Sequence, residues 1–271
     1  MKQKIYLLFL LATSFIGFAR ADTFDHSEYN RLLQKYVTAD GLVNYNALKN
    51  NPTQLDNYLK QLEQVKPDEF NNWPQNEQLA FWINAYNAIT IKGILKNYPI
   101  KYGDLIARAR FPQNSIRQIK DFWDTVFIRI MGEDITLNRI EHEILRKQFK
   151  EPRIHFAIVC ASIGCPKLQN RAYFPDDIDK SLEKAATEFL ANPQKVWLDK
   201  QKNTLYLSAI FNWFKKDFQS FKNPKLLKYD SDIRGVIAFV INHFSETDKE
   251  YVIQKHPRIK FMDYDWTLNN L

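Results

Sequence analysis

Cys160 and Cys165 are the only two cysteines in the 271-residue chain, and they stand five positions apart. Three chemistries are open to such a pair: a disulfide closed across Ala161-Ser162-Ile163-Gly164, a nucleophilic Cys160, or two inert buried thiols. The ring is sterically feasible, with Gly164 expected to supply its turn. Nucleophilic attack needs a base within hydrogen-bond reach and a third group that orients the base. His142 and His155 are the nearby imidazoles. Asn84 and Asn87, three apart on one face of an apolar helix, offer the orienting amide, and backbone amides around Ala161 and Ser162 would steady an oxyanion. The candidate catalytic set is therefore Cys160, His142, His155 and Asn87, with Asn84, Trp82, Tyr86, Ser162 and Arg117 around a substrate. Arg117 and Arg146 are cations suited to an anionic ligand, although surface ion pairing is the ordinary use of both types. Buried amides such as Asn84 and Asn87 must in any case find partners.

The elements that position these groups constrain the choice. Residues 153–160 alternate and are rich in β-branched and aromatic side chains, which predicts a buried strand. On it His155 and Cys160, an odd number apart, face opposite sides. A helix over 137–149, capped by Thr136 and turning back antiparallel to that strand, places His142 roughly 10 Å from its end at about 1.5 Å per residue. Cys160 then lies roughly 23 Å along the strand at about 3.3 Å per residue. His142 is thus level with His155, and a His142–Cys160 contact needs a bend or a different packing. Zinc held by the two histidines with Glu141 or Glu143 matches no recognised short spacing, and adjacent Glu141 and His142 point about 100° apart on a helix. No metal and no cofactor is expected.

Periodicity predicts further helices at 27–37, 53–65, 75–98, 175–190, 209–219 and 232–244. The helix at 75–98 is apolar on several sides and therefore central, and Pro99 stops it. A short strand or turn is expected at 41–45, a strand at 126–131 with a turn at 132–134, a hairpin pairing 195–198 with 204–208, and an extended tail at 258–268. Helices outnumber strands and do not alternate with them. This predicts an α+β protein, a helix-rich single domain with a small, mainly antiparallel sheet.

Composition narrows the function classes. A chain that is 45% hydrophobic and 14% aromatic, with 7 glycines, is neither disordered nor fibrous. Residues 1–21 read as a cleavable secretory signal: Lys2 and Lys4, an apolar run from Ile5 to Phe18 too short to span a bilayer comfortably, then Ala19-Arg20-Ala21. Loss of Lys2, Lys4 and Arg20 takes the net charge from +7 to +4. The remaining domain, 22–271, has no polybasic run, so no nucleic-acid partner is expected, and no stable membrane insertion after cleavage. The expected location is periplasmic or secreted.

Ala80-Phe81-Trp82-Ile83-Asn84-Ala85-Tyr86-Asn87-Ala88 resembles the signature of the DUF547 family, a protein family of unknown function. Ile140-Glu141-His142-Glu143-Ile144-Leu145-Arg146 and the run from Arg153-Ile154-His155-Phe156-Ala157 through Cys160-Ala161-Ser162 to Cys165-Pro166 resemble its helix and its cysteine segment. Leu207–Trp213 and Tyr264–Asn269 resemble two more of its segments. Ile163-Gly164 departs from the pattern, which has a hydroxyl residue before the second cysteine. The resemblance implies where a site lies, and implies a steadier requirement at Cys160 than at Cys165, but carries no activity. Two functions follow from the residues. The leading one is a thiol-dependent hydrolase or acyl transferase acting on a small molecule or peptide-like substrate through Cys160. The alternative is a non-catalytic periplasmic ligand- or partner-binding protein with a structural Cys160–Cys165 disulfide.

Overall fold

The computed structural model describes residues 23–271; the expected signal segment, 1–21, lies outside them. The chain forms α1 (Ser27–Tyr36), α2 (Tyr45–Asn50), α3 (Thr53–Gln64), α4 (Pro67–Asn71), α5 (Gln75–Asn97) and α6 (Leu105–Arg110). A hairpin of β1 (Ile128–Ile130) and β2 (Glu133–Ile135) follows, then a π-helix, Arg139–Phe149, and a 3-10 helix, Pro152–Phe156. The remainder is α7 (Ile178–Leu190), β3 (Val196–Asp199), β4 (Thr204–Leu207), α8 (Ala209–Trp213), the 3-10 helix Lys215–Phe218, α9 (Arg234–Ile241), α10 (Glu246–Lys255) and β5 (Arg258–Phe261). β1 pairs antiparallel with β2; the second sheet has the order β3-β4-β5, antiparallel then parallel. The fold is helix-rich α+β.

α5 is buried on nearly every side, and this follows from its sequence: few of its positions are charged, and apolar residues recur at threes and fours. α3 and the π-helix pack against it, and α1 packs on α3. A second core forms where Phe156, Phe189, Phe211, Phe218 and Phe239 meet, with Phe156 and Phe239 stacked at 5.6 Å. The C-terminal tail runs back to the first core. Ile163 and Gly164 donate to the carbonyls of Thr267 and Asp265 at 2.8 and 2.7 Å, and Asn269 donates to that of Ala161 at 3.0 Å.

Three expectations are corrected. Residues 153–160 form no strand. Pro152 at the first helical position and the Glu151 side chain, which accepts from the Arg153 amide, start a 3-10 turn, and the Asn87 amide then takes the backbone bonds a strand neighbour would have taken. The turn after β1 lies at Met131 and Gly132, both at positive φ (53° and 80°), so Glu133 and Asp134 belong to β2. Residues 209–219 are two short helices broken at Phe214 rather than one. The helix over 137–149 is present, with Thr136 Oγ1 accepting from the Arg139 amide, but its turns are π-helical.

Candidate functional site

A cavity of about 610 Å³ opens between the segment 104–124, the π-helix, the disulfide loop and the C-terminal tail. Its polar floor is built on the π-helix. The wider i→i+5 turn sets successive side chains closer in angle than an α-helix does, and both Glu141 and His142 reach the cavity. Glu141 is buried and receives a hydrogen bond from Tyr86 Oη at 3.1 Å. Burial pushes its carboxyl up to about 7, against the Tyr86 hydrogen bond and the Arg146 charge, which pull it down.

The histidines are tied into one network. Arg146 donates from Nε and Nη2 to the Asp217 carboxylate at 2.6 and 2.9 Å, and from Nη1 to His142 Nδ1 at 2.9 Å. A guanidinium only donates, so Nδ1 is the acceptor and His142 is neutral with its proton on Nε2. Burial and then the Arg146 charge hold its pKa below the ordinary value. His155 Nε2 donates to Asp217 Oδ2 at 2.7 Å, while its ring stacks on Phe214 at 4.0 Å. Burial lowers its pKa, opposed by the Asp217 hydrogen bond. Burial raises the Asp217 carboxyl, but hydrogen bonds from His155 and Arg146 outweigh it and hold Asp217 far below the usual carboxylate range.

The opposite wall is aromatic. The Arg117 guanidinium lies over Phe111, Trp266 and Trp123, at 4.8, 5.2 and 5.8 Å from their ring centroids. Among the described residues no carboxylate forms an ion pair with it. Trp266 continues into Tyr264 at 4.6 Å and Trp213 at 5.9 Å.

Cys160 and Cys165 are joined as a disulfide, Cα atoms 6.3 Å apart, in the cavity wall. The loop's left-handed residue is Ala161 (φ 58°), not Gly164. Gly164 serves another purpose. A Cβ there would stand 2.7 Å from Tyr264 Cε1 and 2.8 Å from the Asp265 carbonyl oxygen, so its missing side chain admits the tail. The Tyr264 hydroxyl consequently sits 3.0 Å from Cys165 Sγ and 3.1 Å from Cys160 Sγ.

Most of these groups fall within one stretch, residues 70–190, which matches the family model DUF547, a protein of unknown function. The stretch 70–190 is thus similar to the DUF547 family. No curated protein and no solved structure matches the chain. The DUF547 stretch supplies Tyr86, Arg117, Glu141, His142, His155 and both cysteines. Asp217, Trp213, Phe214, Tyr264 and Trp266 come from beyond it, so the DUF547 stretch alone leaves the site incomplete.

Of the residues singled out from sequence, Cys160, His142, His155, Tyr86 and Arg117 line this cavity. His142 and His155 share Phe214 and the Arg146–Asp217 pair instead of touching each other, and neither hydrogen-bonds a sulfur. Asn87 orients no histidine: its amide donates to the Ala157 carbonyl at 3.0 Å and accepts from the Val159 amide at 2.9 Å. Asn84 clamps the backbone of Tyr173 in the same way, at 2.7 and 3.0 Å. Trp82 packs among Phe70 and Phe81, and Ser162 faces a smaller cavity of about 270 Å³. Sequence reasoning missed Asp217 and Tyr264. The available signals were a single carboxylate in the aromatic run Phe211–Phe218, and a tyrosine inside a segment already picked out by resemblance. Among the described residues no group of three His, Cys, Asp or Glu converges as metal ligands, and no helix is long and apolar enough to cross a membrane.

Proposed function

We propose that the protein is an exported binding protein whose cavity takes a small carboxylate-bearing organic ligand. The observation that carries this reading is Arg117: a guanidinium held among three aromatic rings at the cavity wall, with its charge unmatched by any described carboxylate. A planar, permanently charged fork preorganised in that way is suited to a carboxylate, while Trp266 and Trp213 offer faces to the organic part of the ligand. Glu141, uncharged over much of the range below about pH 7, adds little repulsion toward an anion. Export is supported by the disulfide, which persists in oxidising compartments, and by the leader-like first 21 residues.

The thiol-hydrolase reading needs a free Cys160 with an imidazole beside it. The disulfide occupies that sulfur, and both imidazoles are engaged elsewhere.

Tryptophan fluorescence tests the binding reading, since Trp123, Trp213 and Trp266 line the cavity. Benzoate, hexanoate and N-acetylphenylalanine are titrated, each against its neutral amide. The expected result is saturable binding of at least one carboxylate, at least tenfold tighter than its amide and weakened at least tenfold by Arg117→Ala. Equal binding of acid and amide, or no binding of any of the three, overturns it. Thiol counting on unreduced protein separates the rival: a fast-alkylating thiol would restore the hydrolase.

A further inference from the structure

The surroundings of the disulfide go beyond what a cross-link needs. Both cysteines line the cavity, but they are unequal: Cys165 is 4% exposed, whereas Cys160 is only partly buried. Two hydrogen-bond donors converge on the buried sulfur. The Cys160 amide donates to Cys165 Sγ at 3.0 Å, and the Tyr264 hydroxyl lies at the same distance. A disulfide sulfur is a weak acceptor that gains little from either donor; a thiolate in that place would gain from both. Burial holds the Tyr264 phenol well above its ordinary pKa, so it remains a donor across the physiological range. The donors sit on rigid supports, since Asn87 pins the backbone at 157–159 and Gly164 lets the tail carrying Tyr264 approach.

We infer that Cys160–Cys165 is a thiol–disulfide exchange centre, in which a small-molecule thiolate entering the cavity attacks Cys160 Sγ and Cys165 leaves as a thiolate held by the Cys160 amide and Tyr264. Cys160 is the electrophile because it is the less buried of the two cysteines that line the cavity. In the first step a bond forms between the incoming sulfur and Cys160 Sγ, the Cys160–Cys165 bond breaks, and its electron pair stays on Cys165. A second thiolate then attacks the incoming sulfur of the mixed disulfide and displaces Cys160. The small-molecule disulfide departs, two electrons having passed from two thiols to the protein, and the two protons those thiols lost end on Cys160 and Cys165. Run backwards, the same steps reoxidise the pair with a small-molecule disulfide. The inference does not rest on the carboxylate reading, although both place their ligand in the same cavity, and the two are read by different signals.

The experiment uses oxidised full-length protein and 2-mercaptoethanol near pH 7, with acid quenching, alkylation and peptide mapping. Native protein is expected to exchange at least tenfold faster than the same disulfide in urea, with the mixed disulfide on Cys160 and the alkyl group on Cys165. Tyr264→Phe is expected to slow the first step about tenfold, the effect of removing one charge-assisted hydrogen bond from the leaving thiolate. Should that variant fail to fold, thiolate ultraviolet absorbance of the reduced wild-type protein replaces it, with one cysteine titrating below the ordinary value of about 8.5. Exchange no faster than in urea, an adduct mapped to Cys165, or both thiols titrating at or above that value overturns the inference.

Discussion

His155 Nε2 donates to Asp217 Oδ2 at 2.7 Å across 62 positions of sequence. This contact, with the Arg146 fork on the same carboxylate, ties together the 3-10 helix Pro152–Phe156, the π-helix and the 3-10 helix Lys215–Phe218. The His155 side chain is 1% exposed, so its ring nitrogen has no water to fall back on. Asp217→Asn removes the charge that balances Arg146 and is expected to cost about 2–4 kcal/mol in urea unfolding, more than an exposed ion pair. The pH dependence has a matching sign. Asp217 has a depressed folded pKa, so its stabilisation is present above about pH 4 and lost as pH falls further toward that folded value. His155 is also depressed: the native state resists protonation, and stability falls as pH drops below about 6.5. In the variant the loss below about pH 4 becomes shallower. An unchanged acid limb would show that Asp217 is not the group responsible.

Asn87 is expected to matter for stability without titrating anything. Its amide satisfies the Ala157 carbonyl and the Val159 amide, both buried, so Asn87→Ala strands two backbone groups and is expected to cost about 2–5 kcal/mol. Asn87→Asp discriminates further, because a carboxylate accepts from Val159 but repels the Ala157 carbonyl. The aspartate variant is expected to be at least as unstable as the alanine variant at pH 7 and to recover in part when protonated near pH 4. Denaturant midpoints at the two pH values decide the point.

Asn87 also marks where sequence patterns mislead. Ile154, Phe156 and Ile158 alternate in sequence as a strand would, but every residue from Ile154 to Val159 is buried, and the hydrogen-bond partner is a side chain from α5. α5 itself, α3, α7 and the β3-β4 hairpin were legible because each carries its own apolar period and turn residues. α10 was not, since only Val252 among its ten residues is buried, and α6 buries none. The cavity was half legible. Cys160, His142, His155, Tyr86 and Arg117 stand out as residue types, but Asp217 and Tyr264 reach the site through long-range packing that no local spacing encodes.

Glu141 is expected to tilt stability the other way. The native state keeps its proton up to about 7, while an unfolded glutamate releases it near 4.5. Between those values the native state binds more protons, so this group's stabilisation is full below about pH 4.5 and is lost as pH rises through 7. The change is on the order of 3 kcal/mol. Tyr86 opposes the shift with its hydrogen bond and Arg146 with its charge, while Asp217 reinforces it. Glu141→Gln fixes a neutral group of the same shape. Subtracting its stability profile from that of the wild-type protein should give a curve that declines from pH 5 to 7, and a flat difference would mean that the carboxyl is solvated and ordinary.

Gly164 links the disulfide to the tail, and a single added methyl tests the link. A Cβ at 164 would stand 2.7 Å from Tyr264 Cε1 and 2.8 Å from a backbone oxygen, so both ring and tail must move. Overpacking of this kind costs about 1–3 kcal/mol. The more specific consequence is positional: Tyr264 is pressed off the two sulfurs it now reaches at 3.0 and 3.1 Å. Gly164→Ala should therefore slow exchange at Cys160 about as much as Tyr264→Phe does, and the two changes combined should cost little more than either alone, because they remove the same contact. Gly132→Ala is the control for adding a methyl to a glycine. Its φ of 80° imposes left-handed strain of about 1 kcal/mol, but nothing lies within 4 Å of the new carbon and exchange should be unchanged. Exchange rates and urea midpoints measured on the wild-type protein and the four variants separate the two effects, and additive slowing in the double variant would show that Gly164 acts on the sulfurs by some route other than Tyr264.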